Sequence, residues 1–151
     1  MQSVLKVLIE NRVPYELRTF ESPARQASQA AELLGCPMGA IVKSLVFQRQ
    51  ASGELLMVLV SGKNRADIQK MNQLIATEVR PAKPKTVLAF TGYPVGAVPP
   101  FGIKGHFPVI MDGDLLDYEH VWASAGAENM LMELNSSDLQ RLTQARVESV
   151  S

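Results

Sequence analysis

The sequence is poor in the residues that act through sulfur and imidazole. It contains one cysteine, Cys36, so neither a disulfide framework nor a cysteine-based zinc cluster can form within the chain. Its two histidines, His106 and His120, lie in no HxH or HExxH pattern, and no serine lies in a G-x-S-x-G elbow. We therefore expect no metal and no cofactor, and we interpret Cys36 as a buried structural thiol.

Long hydrophobic runs and a dominant charge are also missing. No segment approaches the roughly 18 uncharged apolar residues of a membrane span. Lys6 and Glu10 interrupt the first apolar run, which argues against a signal peptide. The 15 basic residues balance the 15 acidic ones, which argues against a general nucleic-acid coat. These absences favour a reduced, cytoplasmic setting with neither membrane nor duplex DNA as a partner.

The spacing of hydrophobic residues predicts short helices and strands along the whole chain. Helices are predicted over 3–10, 22–34, 67–75, 86–90 and 136–142, with Ser22 and Ser136 or Ser137 as caps and Gly35 as a left-handed end. Strands are predicted over 13–20, 41–47, 55–60, 107–111, 121–125 and 130–134. The 151 residues therefore predict a single α+β domain, residues 1–151, with an antiparallel or mixed sheet flanked by helices.

Lys43 interrupts the apolar face of a predicted strand. Residues 41, 43, 45 and 47 point to the same side, so the lysine lies between Ile41 and Leu45. On an edge strand such a lysine prevents aggregation or reaches solvent. At the wall of a pocket, its ammonium would bind a carbonyl, hydroxyl or phosphate. The pattern alone leaves both interpretations open.

The segment from Thr91 to Gly105 differs from the rest of the chain. It holds four glycines and three prolines, a composition that excludes a regular element. Glycine lets the backbone approach a ligand closely, and proline stiffens the loop. Loops of this length are more often functional than not, so we expect its backbone N–H groups to receive a carbonyl or oxyanion.

Basic residues are concentrated between positions 63 and 85. This segment contains six basic residues and only two acidic ones, Asp67 and Glu78. The basic residues are Lys63, Arg65, Lys70, Arg80, Lys83 and Lys85. We expect Lys63, Arg65 and Lys70 to contact nucleic-acid phosphates, with ordinary solvation of the surface as the alternative.

Several of these features occur together in one known family. The segment Ile41–Val46 resembles the signature strand of the YbaK and prolyl-tRNA-synthetase-associated aminoacyl-tRNA editing domains, and Gly92–Gly102 is similar to their G-x-x-x-G-G-x-x-P-x-G loop. Further similar segments follow in the family's order, at 109–112, 115–116, 125–126 and 135–139. The resemblance covers about residues 20–147 and implies a compact α+β fold with a central, barrel-like mixed sheet flanked by helices.

The resemblance also implies an activity. Members hydrolyse the ester that joins an incorrect small amino acid to tRNA, which implies alanine, cysteine, serine or threonine as the residue removed here, with tRNA(Pro) favoured. The implied partner is the acceptor end of mischarged tRNA, with prolyl-tRNA synthetase as a second candidate. A ribose hydroxyl of the substrate is thought to assist, so no Ser–His–Asp set is needed. The alternative is a non-catalytic module of the same fold that binds tRNA or an aminoacyl nucleotide.

Residue roles follow from the same resemblance. Lys43 would orient the terminal adenosine and the substrate, while Gly96 and Gly102 would shape the loop around the reacting carbonyl. The implied substrate-binding residues are Gly92, Ala97, Pro100, Phe101, Gly126 and Asp138. Asp138 can equally be a helix-capping residue. Ala97 departs from the family pattern, because many members have a second glycine there, and its methyl group would either narrow the pocket or be tolerated by the backbone.

Overall fold

The computed structural model describes residues 2–24 and 26–151. In this part of the chain there are five α-helices and eight strands. The helices are α1 (Gln2–Glu10), α2 (Ala27–Leu34), α3 (Ile68–Ile75), α4 (Pro84–Thr91) and α5 (Ser136–Thr143). The strands are β1 (Tyr15–Thr19), β2 (Val42–Arg49), β3 (Leu55–Ser61), β4 (Val79–Pro81), β5 (Val109–Asp112), β6 (His120–Ala127), β7 (Met130–Asn135) and β8 (Arg146–Glu148). Short 3₁₀ turns cover Met38–Ala40 and Gly113–Asp117.

The strands form two sheets. Three antiparallel strands lie in the order β1-β7-β6, and five strands lie in the order β4-β2-β3-β5-β8. In the larger sheet β2 is antiparallel to β3 and β4, whereas β5 is parallel to β3 and β8. A parallel bridge between Ile41 and Trp122 joins the two sheets. The predicted α+β fold with a mixed, barrel-like sheet is therefore confirmed.

Strand β3 lies at the centre of the core, with all seven of its residues buried. Met57 and Leu59 pack into a large hydrophobic cluster that also contains Val4 and Leu8 of α1. Val58 and Val60 point the other way, into a second cluster that contains Met71 of α3 and Val79 of β4. The absence of alternation in this segment predicts burial on both faces, and the structure confirms it.

Helix α2 begins later than the sequence predicts. Its first residue is Ala27, and the Gln29 side chain accepts a hydrogen bond from the N–H of Gln26, at 3.3 Å. Gln26 precedes the helix in an extended conformation, and further back both the N–H and the C=O of Phe20 are bonded to Asn129. Ser22 therefore does not cap this helix. Arg25, which the predicted helix includes, lies outside the described residues, and Gly35 ends the helix at φ 68° as predicted.

Helix α5 also has a different cap from the predicted one. The Asn135 side chain accepts a hydrogen bond from the N–H of Ser137, whereas the Ser136 hydroxyl donates to the carbonyl of Tyr118. Asn135 supplies the cap because it is the last extended residue before the helix. Strands β4 and β8 are not predicted by the pattern, since three residues are too few to show alternation.

None of the described helices combines the length and the apolar character needed to cross a bilayer.

Candidate functional site

A cavity of about 400 Å³ lies where the two sheets separate. Strand β2, α2, the segment 95–98 and the end of β6 contribute to its wall. Most of the lining is small or apolar, including Ala27, Ala30, Val95, Val98 and Leu131. Its volume lies toward the lower end of the range of about 300–1,000 Å³ that is usual for small-molecule sites.

The cavity exists because one edge of β2 is only partly paired. Pairing with β3 covers Val42–Gln48, but pairing with β4 covers only Phe47–Arg49. On the same edge the N–H of Ala82 donates to the carbonyl of Val46. Successive residues of a strand direct their backbone groups to opposite edges, so the N–H and C=O of Ser44 also face this edge, where no strand of the described residues pairs with them.

Ser44 also contributes a side chain with unused hydrogen-bonding capacity. Its Oγ is buried and has no hydrogen-bond partner among the described residues. Buried hydroxyl groups in native proteins are almost always hydrogen-bonded, so an unpaired one is suited to a ligand group or a bound water. Ser44 therefore presents a hydroxyl and a backbone amide at the wall of the cavity, both suited to a polar ligand.

Lys43 lines the same cavity. Its ammonium donates a hydrogen bond to the backbone carbonyl of Asn64, which leaves two of the three N–H bonds of the ammonium for other acceptors. Burial lowers the pKa of Lys43 below its usual range; the nearby Arg65 lowers the pKa further, and Asp112 partly opposes both effects. The side chain is thus fixed at its tip and only partly solvated.

A partly buried hydrogen-bond network holds the Asn64 loop that positions Lys43. The Asn64 amide donates to Asp112 at 2.9 Å and to Asp114 at 2.8 Å. Asp112 is 2% exposed and also accepts from the N–H of Ser61, at 3.0 Å. These two carboxylates connect β5 and the 3₁₀ turn that follows it to the loop that carries Asn64.

The glycine-rich loop contributes Val95, Gly96 and Val98 to the cavity. Gly96 has a φ of 92°, a conformation that side chains disfavour, and this allows its backbone to approach the cavity. Ala97 is buried, and its carbonyl accepts a hydrogen bond from Ser124 Oγ at 3.0 Å. Ser124 Oγ in turn accepts from the N–H of Gly126, so one hydroxyl connects the loop to the bulge of β6.

Lys43 and Gly96 are the predicted site residues that line the cavity, and the other predicted site residues are not among its lining residues. Gly92 ends α4, and Gly102 packs against the backbone of Ser3 and Val4 in α1. Pro100 and Phe101 are buried, the latter within the main core. Gly126 lies in the bulge of β6, and Asp138 forms an ion pair with Arg141 at 3.1 Å. Their roles in substrate binding stay predictions.

The three predicted phosphate-binding residues have different surroundings. Lys63 is paired with Asp114 at 3.9 Å and lies 5.9 Å from the centre of the Tyr118 ring. Lys70 donates to Ser149 and to the carbonyl of Ser151. Arg65 is exposed and acts electrostatically on Lys43, and no ion pair is found for it within the described part of the chain. Contact of these residues with tRNA stays a prediction.

Cys36 packs against α2 but is only half-buried, so the prediction of a buried thiol is met only in part. Burial raises the pKa of its thiol, which favours the unreactive protonated form and agrees with the structural interpretation.

Sequence reasoning missed four residues that complete the site: Ser44, Asn64, Ser124 and Glu128. Ser44 carries a detectable signal, since it is a polar residue between Val42 and Val46 on an apolar face. Asn64, Ser124 and Glu128 carry none, because they reach the site through loops and a bulge whose course depends on distant parts of the chain.

Comparison with known proteins gives consistent matches. The sequence profile of the aminoacyl-tRNA editing domain matches residues 21–142. A crystal structure described as a candidate trans-editing enzyme for prolyl-tRNA synthetase superposes with a TM-score of 0.89 at 35% identity, covering 100% of this chain and 98% of that one. The candidate Cys-tRNA(Pro)/Cys-tRNA(Cys) deacylase EbsC of Enterococcus faecalis is 26% identical over 152 aligned positions, covering 99% of this chain and 92% of that protein. A proline–tRNA ligase of Trichlorobacter lovleyi is 35% identical over 86 residues, 56% of this chain but 15% of that longer enzyme.

Proposed function

We propose that this chain, which belongs to the aminoacyl-tRNA editing domain family, is a trans-editing deacylase that removes a small amino acid from mischarged tRNA. The residue removed is alanine, cysteine, serine or threonine, and tRNA(Pro) is the favoured carrier. The observation that supports this most directly is the small cavity whose wall contains both the Lys43 side chain and the unpaired backbone groups of Ser44.

The chemistry requires little beyond positioning. Water attacks the ester carbonyl, the bond from the carbonyl carbon to the ribose oxygen breaks, and that oxygen takes a proton. The products are the free amino acid and tRNA. An aminoacyl ester is already activated, so orientation and stabilisation of the developing oxyanion can supply most of the acceleration. We assign oxyanion stabilisation to the Lys43 ammonium and the backbone near Gly96, with a ribose hydroxyl of the substrate assisting water.

The surroundings of the cavity favour a small acyl group. Val95, Val98 and Leu131 close it with apolar side chains, and α2 contributes alanines rather than larger residues. A larger cognate amino acid would be excluded by size, which is the logic of a second editing sieve. Similarity to part of a proline–tRNA ligase supports prolyl-tRNA synthetase as a partner that delivers the substrate. Because charged tRNA is used in translation, we place this activity in the cytoplasm.

Replacement of Lys43 tests the proposal. We expect Lys43→Ala to lower kcat/KM by roughly a hundredfold or more, because it removes a preorganised charge next to the reacting carbonyl. Lys104→Ala is the matched control, since Lys104 is an exposed lysine that does not line the cavity. The measurement is deacylation of a panel of tRNAs charged with alanine, cysteine, serine or threonine, with unfolding midpoints determined for each variant.

Two outcomes contradict the enzymatic function. One is that the wild-type protein at micromolar concentration deacylates no member of the panel. The other is that it binds uncharged tRNA without any turnover of the charged forms, which identifies a non-catalytic binding module instead.

A further inference from the structure

Glu128 is a charged residue in a cavity whose wall is mostly apolar. Among the described lining residues it is the only acid, and Lys43 is the only base. It lies in the turn between β6 and β7, next to Asn129. The Asn129 side chain and backbone carbonyl both bond to Phe20, so this turn is held against the chain that follows β1.

The Glu128 side chain lies directly over the glycine that faces the cavity. A Cβ built on Gly96 would be 3.3 Å from Oε1 and 3.9 Å from both Cγ and Cδ of Glu128. The carboxylate therefore lies beside the loop backbone. Within the described residues, no ion pair or hydrogen bond of this carboxylate is found.

A carboxylate in such surroundings is suited to a cationic ligand group. The Glu128 side chain is half-buried, and a substrate that fills the cavity would remove its carboxylate further from water, a cost that an opposite charge or hydrogen-bond donors offset. An aminoacyl ester carries such a charge on its α-ammonium, whose nitrogen is attached to the carbon next to the reacting carbonyl. A carbonyl placed at the Gly96 backbone would therefore bring the ammonium within reach of a side chain that lies over Gly96.

We propose that the Glu128 carboxylate binds the α-ammonium of the aminoacyl group; this rests on the proposed deacylase function. Lys43 and Glu128 then hold the substrate from two sides, one at the acyl carbonyl and the other at the amine. This arrangement selects acyl groups with a free amine. Esters whose nitrogen is acylated, as in peptidyl-tRNA, lose the charge that Glu128 binds and are poor substrates.

A comparison of two substrates and three proteins tests this. The first substrate is the aminoacyl-tRNA that the wild-type protein hydrolyses fastest. The second is the α-hydroxyacyl-tRNA made from it by deamination, which is nearly the same size and carries no positive charge. Both are given to the wild-type protein, to Glu128→Gln and to Glu54→Gln. The last is the control, because Glu54 is an exposed acid that does not line the cavity.

We expect Glu128→Gln to lower kcat/KM for the aminoacyl-tRNA by roughly tenfold to a hundredfold, as for loss of a charged hydrogen bond. The same variant should change hydrolysis of the hydroxyacyl-tRNA less than about twofold, and Glu54→Gln should change neither. Equal losses on the two substrates, or full activity of Glu128→Gln on the aminoacyl-tRNA, would overturn the assignment.

The wild-type rate on aminoacyl-tRNA separates this inference from the function on which it rests. If the wild-type protein is active and Glu128→Gln behaves as the control, the deacylase function stands and the role of Glu128 is wrong. If the wild-type protein is inactive on every aminoacyl-tRNA, both proposals fail together.

Discussion

At the scale of single residues, Lys43 is surrounded by groups that act on its pKa in opposite directions. Burial has the largest effect and lowers the pKa; the Arg65 guanidinium lowers it further, whereas the Asp112 carboxylate raises it. If deacylation needs the charged ammonium, activity falls as the pH rises through the pKa of Lys43. Each neighbour should then shift this alkaline limb in a direction set by its own charge.

We predict opposite shifts for two charge-removing variants. Asp112→Asn removes a negative charge, so the pKa of Lys43 falls further and the alkaline limb of kcat/KM moves to lower pH. Arg65→Gln removes a positive charge, so the pKa rises and the limb moves to higher pH. The measurement is kcat/KM against pH with uncatalysed ester hydrolysis subtracted, together with NMR titration of the lysine ε-carbon.

The Arg65 arm keeps this test decisive even if Asp112→Asn folds poorly, because Arg65 is exposed. An unchanged limb in Arg65→Gln, or a movement to lower pH, would contradict a catalytic role for the Lys43 charge.

At the scale of secondary-structure elements, serines on β2 and β3 distinguish a side chain available to substrate from one that stabilises the fold. Ser44 Oγ has no hydrogen-bond partner within the described part of the chain, whereas Ser61 Oγ in β3 donates to the carbonyl of Gly39 at 2.6 Å. The two serines lie on neighbouring strands but differ in what their hydroxyl groups contribute to the folded state.

We predict that Ser44→Ala leaves the free energy of unfolding within about 1 kcal/mol of wild type, or raises it, since it removes an unsatisfied buried oxygen. It should lower kcat/KM by about threefold to tenfold if the hydroxyl contacts substrate. Ser61→Ala should instead lower the free energy of unfolding by about 1–3 kcal/mol, because the Gly39 carbonyl loses its donor. Urea unfolding and deacylation rates check both, and equal destabilisation of the two variants would contradict the assignment.

The glycine-rich loop is anchored to α1 at its far end. Gly102 has a φ of 72°, and a Cβ there would lie 2.9 Å from the backbone of Ser3 and Val4. Gly35 has a similar φ of 68°, but nothing lies within 4 Å of its added Cβ. A comparison of the two glycines therefore separates the cost of a left-handed backbone conformation from the cost of the close contact with α1.

We predict that Gly102→Ala lowers the free energy of unfolding by roughly 2–4 kcal/mol, which combines left-handed strain with overpacking. Gly35→Ala should cost about 1 kcal/mol from strain alone. Denaturant unfolding of both variants measures the difference, and equal losses would show that Gly102 does not hold the loop against α1.

The extent to which this site follows from sequence depends on how local each feature is. Lys43 is visible as a charge on an apolar strand face, and the loop is visible from its glycines and prolines. The opening beside Ser44 is not visible, because it arises where β4 stops pairing with β2, and β4 has only three residues. Glu128 reaches the cavity through the pairing of β6 with β7, which no local pattern records.

At the scale of the whole molecule, the cavity follows from how two sheets meet. They are joined at the bridge between Ile41 and Trp122, and each then continues with its own partners. Short-range patterns predict β3 and β5, but they predict neither β8 nor the parallel pairing of β5 with β3 and β8, which connects distant segments. The barrel-like arrangement is therefore predicted by the family resemblance of several motifs in the same order along the chain, and not by hydrophobic periodicity.

The net charge is zero, but the segment 63–85 carries an excess of positive charge, and this excess bears on how tRNA reaches the cavity. Arg65 is exposed and close enough to Lys43 to affect its pKa, whereas Lys70 is bonded to Ser149 and Ser151. Arg65 is therefore better placed than Lys70 to contact a tRNA phosphate near the cavity. We predict that Arg65→Glu weakens binding of uncharged tRNA severalfold or more and reduces its salt dependence, because a phosphate contact is lost.

Lys70→Glu is the matched charge reversal and should have the smaller effect, since Lys70 lies against the C-terminal residues. Titration of uncharged tRNA at several salt concentrations measures both variants without involving the chemical step, so the influence of Arg65 on Lys43 does not enter. Because each reversal changes the net charge equally, a purely long-range attraction would weaken binding by the same factor in the two variants. Unchanged affinity in both would remove the basic segment from the tRNA interface, and a larger loss in Lys70→Glu would place the phosphate path along α3 rather than at the cavity mouth.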